Sequence, residues 1–290
     1  MQKLFYIITS LLLASILSVC AYCLWFRDGG QRYYYMGNDN GLIILRNGIS
    51  LFVDTRDSKI THRLIKTGKW EYRDLKLVEK YLHADSQVIE VGSNVGYYTM
   101  HFSQALRKMS GKGHVYAFEA NPNLVALLTR SAEANKASNT TIFNNIVYSS
   151  SGKKMQFTFD EINIGMGRVN SKVDYPKFSK KHIFEAITTT LDDTLTDKEY
   201  DIIRMDAEGS ELEILKGAQR ILARSPALIV FMEWARDALQ NNSDIEASID
   251  YYTNNGYKFY KIQGSKLQAI SKKELLEVGI CNIAMTKKDL

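Results

Sequence analysis

Val88-Ile89-Glu90-Val91-Gly92-Ser93-Asn94-Val95-Gly96-Tyr97-Tyr98-Thr99 joins an apolar strand to a glycine turn that opens a helix. Beyond it, Val115-Tyr116-Ala117-Phe118-Glu119-Ala120-Asn121-Pro122 is a second apolar strand ending in a carboxylate. The two runs together have the layout of a nucleotide-binding βαβ unit. Val88, Ile89 and Val91 suit a parallel strand covered on both faces, while Gly92 and Gly96 let the backbone turn tightly and meet a ligand without a Cβ in the way. Glu119 follows Gly92 by 27 residues, close to the interval of about 20 at which such folds set a carboxylate against two ribose hydroxyls. An unphosphorylated ribose on an adenosine-bearing cofactor is expected.

The spacing also discriminates between cofactors. A dinucleotide site wants Gly-x-Gly-x-x-Gly, so that a helix N-terminus faces a pyrophosphate; here Asn94 stands where the middle glycine would be needed. S-adenosyl-L-methionine carries no phosphate, and its amino-acid tail and sulfonium tolerate the acidic Glu90 within the strand. It is therefore favoured over NAD. Two rival readings stay open: a NAD-dependent oxidoreductase, and a catalytically silent binding or scaffold module that keeps the fold.

Further blocks extend the pattern: Glu119-Ala120-Asn121-Pro122, Thr190-Leu191-Asp192-Asp193, Asp206-Ala207-Glu208-Gly209-Ser210-Glu211 with Leu215-Lys216-Gly217-Ala218, and Met232-Glu233. With the glycine turn, they make the segment from about residue 85 to about residue 235 resemble the FkbM family of S-adenosylmethionine-dependent methyltransferases. Ala120 departs from the family, which more often has Pro there. The resemblance implies an α/β, Rossmann-like class I methyltransferase fold with a mostly parallel seven-stranded sheet and helices on both faces, and methyl transfer to an oxygen. At the matching positions it implies cofactor contact by Glu90, Gly92, Ser93, Asn94, Gly96, Glu119, Ala120 and Asn121.

The chain has 290 residues, 45% hydrophobic and 24% charged, enough for one α/β domain with a sizeable core plus an N-terminal addition. Leu4 to Phe26 is uncharged over 23 residues, and about 20 apolar residues suffice to cross a bilayer. The run reads as a single-pass membrane anchor, with a cleaved secretory signal as the alternative. The cofactor and a slight basic bias lean toward a cytosolic catalytic domain, with a secreted or lumenal one as the alternative. The expected division is 1–30 anchor or signal, 31–84 linker and small lobe, and 85–290 methyltransferase domain. Cys20, Cys23 and Cys281 give neither a disulfide framework nor a metal site. The net charge of +5 is scattered, with short clusters only at Lys177–Lys181 and Lys272-Lys273, so no nucleic-acid partner is expected.

Arg32 to Gly41 reads as a linker, and Leu42–Leu45 with Leu51–Val53 as a hairpin about Asn47-Gly48. Asp57 or Ser58 could cap a helix that Gly68 stops. The core then alternates: strand 87–91, helix 96–108, strand 114–119, helix 122–135, strand 141–147 and a strand at 155–159 wired in parallel. Residues 160–186 are irregular, either a substrate loop or a surface excursion. Strand 201–206, a helix from Ser210, strand 227–233, helix 243–255 and an antiparallel pair near 257–262 and 281–286 complete the sheet.

Ligands of such sheets lie beyond the carboxyl ends of the strands, where Glu90, Glu119 and Asp206 to Glu208 should converge. Transfer to a hydroxyl requires removal of its proton, and a carboxylate can serve as base. Asp206 is the candidate base or acceptor-orienting group, with Glu208 or Glu233 assisting. Glu208 or Ser210 could instead cap the helix, and Glu233 could merely pair with Arg236. Among the histidines only His182, inside the irregular stretch, competes as a base. Asp206 with Glu208 could hold a hard divalent metal, but two carboxylates are few ligands and no metal is expected. The acceptor class is a small molecule, a glycan or a lipid-linked hydroxyl, with the membrane a partner through residues 4–26.

Overall fold

The computed structural model of the chain describes residue 15 and residues 30–160, 162–169 and 181–290. The expected anchor at residues 4–26 lies, apart from Ser15, outside the described residues. Among those, no helix is long and apolar enough to cross a membrane.

The stretch expected to be a linker pairs as a strand. β1 (Arg32–Gly37), β2 (Asn40–Ile44) and β3 (Ser50–Asp54) form an antiparallel sheet. The Asn47-Gly48 turn expected from the sequence joins the second and third. This sheet packs on the helix Pro122–Ala134, with the Phe52 N–H donating to Ser131 Oγ at 2.9 Å and the Ser50 N–H to Asn135 Oδ1 at 3.0 Å. The Asp57 carboxylate receives the N–H groups of Lys59 and Thr61 ahead of the helix Ile60–Thr67, which ends at Gly68 with φ +64°. A second short helix, Tyr72–Glu79, leads into the main sheet.

That sheet has eight strands. β4 (Gln87–Val91), β5 (His114–Glu119), β6 (Thr140–Asn144), β11 (Ile202–Met205) and β12 (Ile229–Ala235) are parallel; β13 (Lys258–Gln263), β14 (Lys266–Ala269) and β15 (Ile280–Thr286) join antiparallel at one edge. The order is β14-β13-β15-β12-β11-β4-β5-β6. The expected seven strands become eight because Gly264-Ser265 turns the chain back into β14, a short polar edge strand with no apolar run to reveal it. Val88, Val115, Ile202 and Ile229 bury one face; Ile89, Phe118, Ile203 and Val230 bury the other, each under helices.

The strand at 155–159 is not wired in parallel. β8 (Lys154–Asp160) belongs to a separate sheet with β7 (Ile146–Val147), β9 (Asn163–Val169) and β10 (Lys181–Thr189), ordered β7-β10-β8-β9, and it runs antiparallel to both of its neighbours. The stretch read as irregular thus supplies two strands among its described residues.

Candidate active site

Strand order reverses between β4 and β11, the point at which an open α/β sheet leaves a crevice beyond its strand ends. A cavity of about 370 Å³ opens there. The register sets Met205 beside Val91, so the chain leaves the two central strands side by side at Gly92 and Asp206. Gly92 has φ +81°, and a Cβ on it would lie 2.0 Å from the Asp206 carbonyl oxygen. Only glycine fits that approach. Asn94, at φ +51°, completes the turn, and its Oδ1 accepts the Val95 N–H at 2.7 Å.

Glu119 ends β5 with a buried carboxylate. Its Oε2 accepts the Asn94 N–H at 2.8 Å and its Oε1 the Asn121 N–H at 2.9 Å. Two backbone donors from separate turns therefore fix its orientation at the cavity wall. Burial raises its pKa above the ordinary carboxylate value, with these N–H groups opposing the shift.

Glu90 is 1% exposed and accepts the Thr99 hydroxyl at 2.5 Å. Burial pushes it up to about 7, against the pull of Arg204. The parallel register makes Arg204 its cross-strand neighbour. The Arg204 guanidinium lies 4.1 Å above the Tyr98 ring, and its Nη2 is 3.2 Å from both Glu71 Oε2 and Asp206 Oδ2. Neither Glu71 nor Arg204 belongs to the motifs of the sequence. A basic residue inside the apolar run Ile202-Ile203-Arg204-Met205 was the available signal.

Asp206 faces Glu233 and Glu211, and carboxylate oxygens of the three lie within 4.8 Å of one another. As hard oxygen donors they could meet a divalent cation, and it is Glu211 rather than Glu208 that stands in this group with Asp206. Both Glu211 oxygens already serve the backbone, accepting the Ala207 N–H at 2.7 Å and the Gly209 N–H at 3.0 Å. Burial pushes Glu211 up to about 8. Burial also raises Glu233 and Glu208, with Asp206 adding like-charge repulsion to each.

Of the expected positions, Glu90, Gly92, Ser93, Asn94, Glu119, Ala120, Asp206, Glu208 and Glu233 line the cavity; Gly96 and Asn121 do not. Gly96 starts the helix Tyr97–Lys108 at φ +90° with Leu128 packed on it. Asn121 caps the helix Pro122–Ala134, its Oδ1 accepting the Asn123 N–H at 3.0 Å. Neither Glu208 nor Ser210 takes the capping role weighed for it: the helix Glu211–Lys216 starts after Ser210 with no side-chain cap, and Glu211 ties down the Ala207 and Gly209 N–H groups of the turn before it. Arg236 pairs with Asp237 at 2.8 Å rather than with Glu233. His182 sits on β10 with its ring stacked on Phe159 at 5.1 Å, and it is not among the residues that line the cavity.

The opposite wall is β9. A Cβ on Gly165 would meet Asn94 Nδ2 at 2.3 Å and Ile60 Cδ1 at 2.8 Å, while Met166 Sδ rests 2.7 Å from Lys59 Nζ. The Ser58 N–H donates to the Ile162 carbonyl at 2.9 Å. The β7–β10 sheet and the N-terminal lobe thus meet over the glycine turn.

No curated protein matches the chain. Among solved structures it is similar to a precorrin-6y C5,15-methyltransferase from Geobacter metallireducens (15% identity, 76% of this chain and 88% of that one, TM-score 0.43). It is similar also to the TYW2 protein of M. jannaschii in complex with AdoMet (14%, 87% and 86%, TM-score 0.45) and to an O-methyltransferase from Bacillus cereus in complex with SAH (13%, 73% and 76%, TM-score 0.39). These likenesses are distant. The model of the methyltransferase FkbM domain matches residues 90–259, more than half of the chain. By that match the chain belongs to the FkbM methyltransferase domain family.

Proposed function

We propose that this protein transfers a methyl group from S-adenosyl-L-methionine to a hydroxyl oxygen of a small-molecule, glycan or lipid-linked acceptor. The observation that carries the reading is the pair of buried carboxylates, Glu90 and Glu119, at adjacent strand ends of the switch-point cavity.

The donor set fits the cofactor. Glu119 keeps acceptor capacity beyond its two N–H partners, and it stands beside Phe118 and Leu124, an apolar wall suited to a nucleobase. Glu90 offers a carboxylate to an ammonium group. The bound cofactor supplies an electrophilic methyl group on a sulfonium. Asp206, at the end of the neighbouring strand, orients the acceptor hydroxyl and takes its proton, a contribution of about 10²–10⁴-fold for a positioned base. Glu233 and Glu208 flank Asp206 and, with raised pKa values, share the proton load at neutral pH. Holding donor and acceptor in one cavity supplies much of the remaining acceleration. A bilayer tether through residues 4–26, with the catalytic domain on the cytosolic face, is the part of the proposal that rests on composition alone.

The test is incubation of the full chain with radiolabelled S-adenosyl-L-methionine and fractionated lysate. Label in a hydroxyl-bearing small-molecule, glycan or lipid fraction, stable to conditions that cleave methyl esters, is expected. Label confined to protein or nucleic acid, or absent from every fraction, would overturn the proposal.

A further inference from the structure

We propose that Arg204 is the positioning residue for the Asp206 carboxylate and that Glu71 of the N-terminal lobe holds Arg204 in place, which makes that lobe part of the active site. The inference rests on the reading of Asp206 as proton acceptor.

An arginine inside a parallel strand, only 8% exposed, is costly unless its charge and its donors are matched. Here a single nitrogen, Nη2, bridges two carboxylates at 3.2 Å each, one from the lobe and one from the end of its own strand. The guanidinium carbon lies over the Tyr98 ring at 4.1 Å, a cation–π contact that adds to its anchoring. Glu71 is fixed in turn: Tyr98 Oη donates to its Oε2 at 3.1 Å. Its backbone is left-handed at φ +42°, a conformation costing a non-glycine residue about 1–2 kcal/mol. Glu71 lines the cavity that Arg204 and Asp206 also line. Lysine would supply the charge at a point but not the delocalised guanidinium that lies over the Tyr98 ring.

The groups facing Arg204 are Glu71 and, through it, Asp74 from the lobe; Tyr98 from the helix Tyr97–Lys108; Glu90 on β4; Asp206 on its own strand; and Glu233 on β12. Arg204 lowers Glu71, Glu90 and Glu233 against the burial that raises them. Loss of the cation moves those carboxyls further up, so the acid limb of the pH–rate profile shifts to higher pH.

The experiment compares the full chain with Arg204→Met, Arg204→Lys and Glu71→Gln. It measures S-adenosyl-L-methionine affinity by calorimetry, label transfer to the acceptor fraction from pH 5 to 9, and glutamate carboxyl titration by 13C NMR. Arg204→Met is expected to slow transfer about 100-fold, the loss typical of a reacting group misplaced by about 1 Å. Its cofactor affinity changes far less, and its acid limb moves up. Glu71→Gln gives a smaller shift of the same sign, and Arg204→Lys recovers the pH profile but not the full rate. An equal fall in affinity and rate with no change in the pH profile would mean a merely structural role and overturn the proposal. Should the parent protein label nothing, the methyl-transfer reading fails by itself. The NMR titration still decides the positioning claim, because Glu90 and Glu233 midpoints that stay put in Arg204→Met would refute it.

Discussion

Replacing Gly92 with alanine puts a methyl group 2.0 Å from the Asp206 carbonyl oxygen and 3.0 Å from its carbon. The obstacle is backbone, so it cannot swing aside as a side-chain tip would. An ordinary carbon–oxygen contact is about 3.3 Å, so one of the two strand ends must retreat by about 1.3 Å. That retreat strains the bond from the Asp206 N–H to the Val91 carbonyl, now 3.0 Å, at about 1 kcal/mol. The φ of +81° adds about 1–2 kcal/mol for an L-residue. Together they give about 2–3 kcal/mol, a fall in melting temperature of about 4–12 °C at the usual 2–4 °C per kcal/mol for a chain near this size. Gly48→Ala is the matched control: its φ is +85° and nothing lies within 4 Å of the added methyl. It carries only the conformational cost, about 1–2 kcal/mol, and keeps the parent rate. Differential scanning calorimetry and label transfer decide the matter. Gly92→Ala should lose clearly more stability than Gly48→Ala and slow transfer about 100-fold through the displaced Asp206. Equal melting temperatures for the two variants, with activity intact in both, would refute the reasoning.

Two further outcomes follow from the site. Burial holds Glu90 at about 7 and Glu211 at about 8, above an ordinary value of 4.5. The folded chain therefore keeps protons that the unfolded chain releases, and the stability this confers is complete below the ordinary value and lost as pH rises through 7 to 8. The melting temperature of the ligand-free protein should fall between pH 6 and pH 9, and Glu90→Gln should flatten that slope; a slope rising over the same range contradicts the assignment. Gly165→Leu inserts a side chain where even a Cβ would lie 2.3 Å from Asn94 Nδ2. It should weaken S-adenosyl-L-methionine binding by about 10-fold or more, on the order of 1.4 kcal/mol, and unchanged calorimetric affinity would mean that β9 does not close over the glycine turn.

The centre of the fold was readable because its strands are buried on both faces. A continuous apolar run broken by one acid marks both the strand and the end at which the acid emerges, as at Glu90 and Glu119. At 155–159 the sequence marks a strand but not its direction, since Met155, Phe157 and Phe159 alternate whichever way the partner runs, and the pairing is antiparallel rather than the expected parallel. Its partner β10 begins 21 residues beyond Asp160, and that pairing is a tertiary fact. β14 was hidden because an exposed edge strand needs no apolar residues, and β1 because its tyrosines are exposed. The expected residues near the strand ends lie on the cavity wall, whereas Glu71 carries no local signal: it reaches Arg204 across 133 residues of sequence. Gly96 and Asn121 show the converse. Their types fit the motif, but they serve the helix starts that shape the cavity.

The most direct test of the account is a calorimetric titration of the full chain and of Glu119→Ala with S-adenosylhomocysteine, with NAD run in parallel. One site per chain is expected for S-adenosylhomocysteine, none for NAD, and a loss in Glu119→Ala of at least about 10-fold, the scale of one charge-assisted hydrogen bond. Equal affinity in the variant, or binding of NAD in place of S-adenosylhomocysteine, would contradict it.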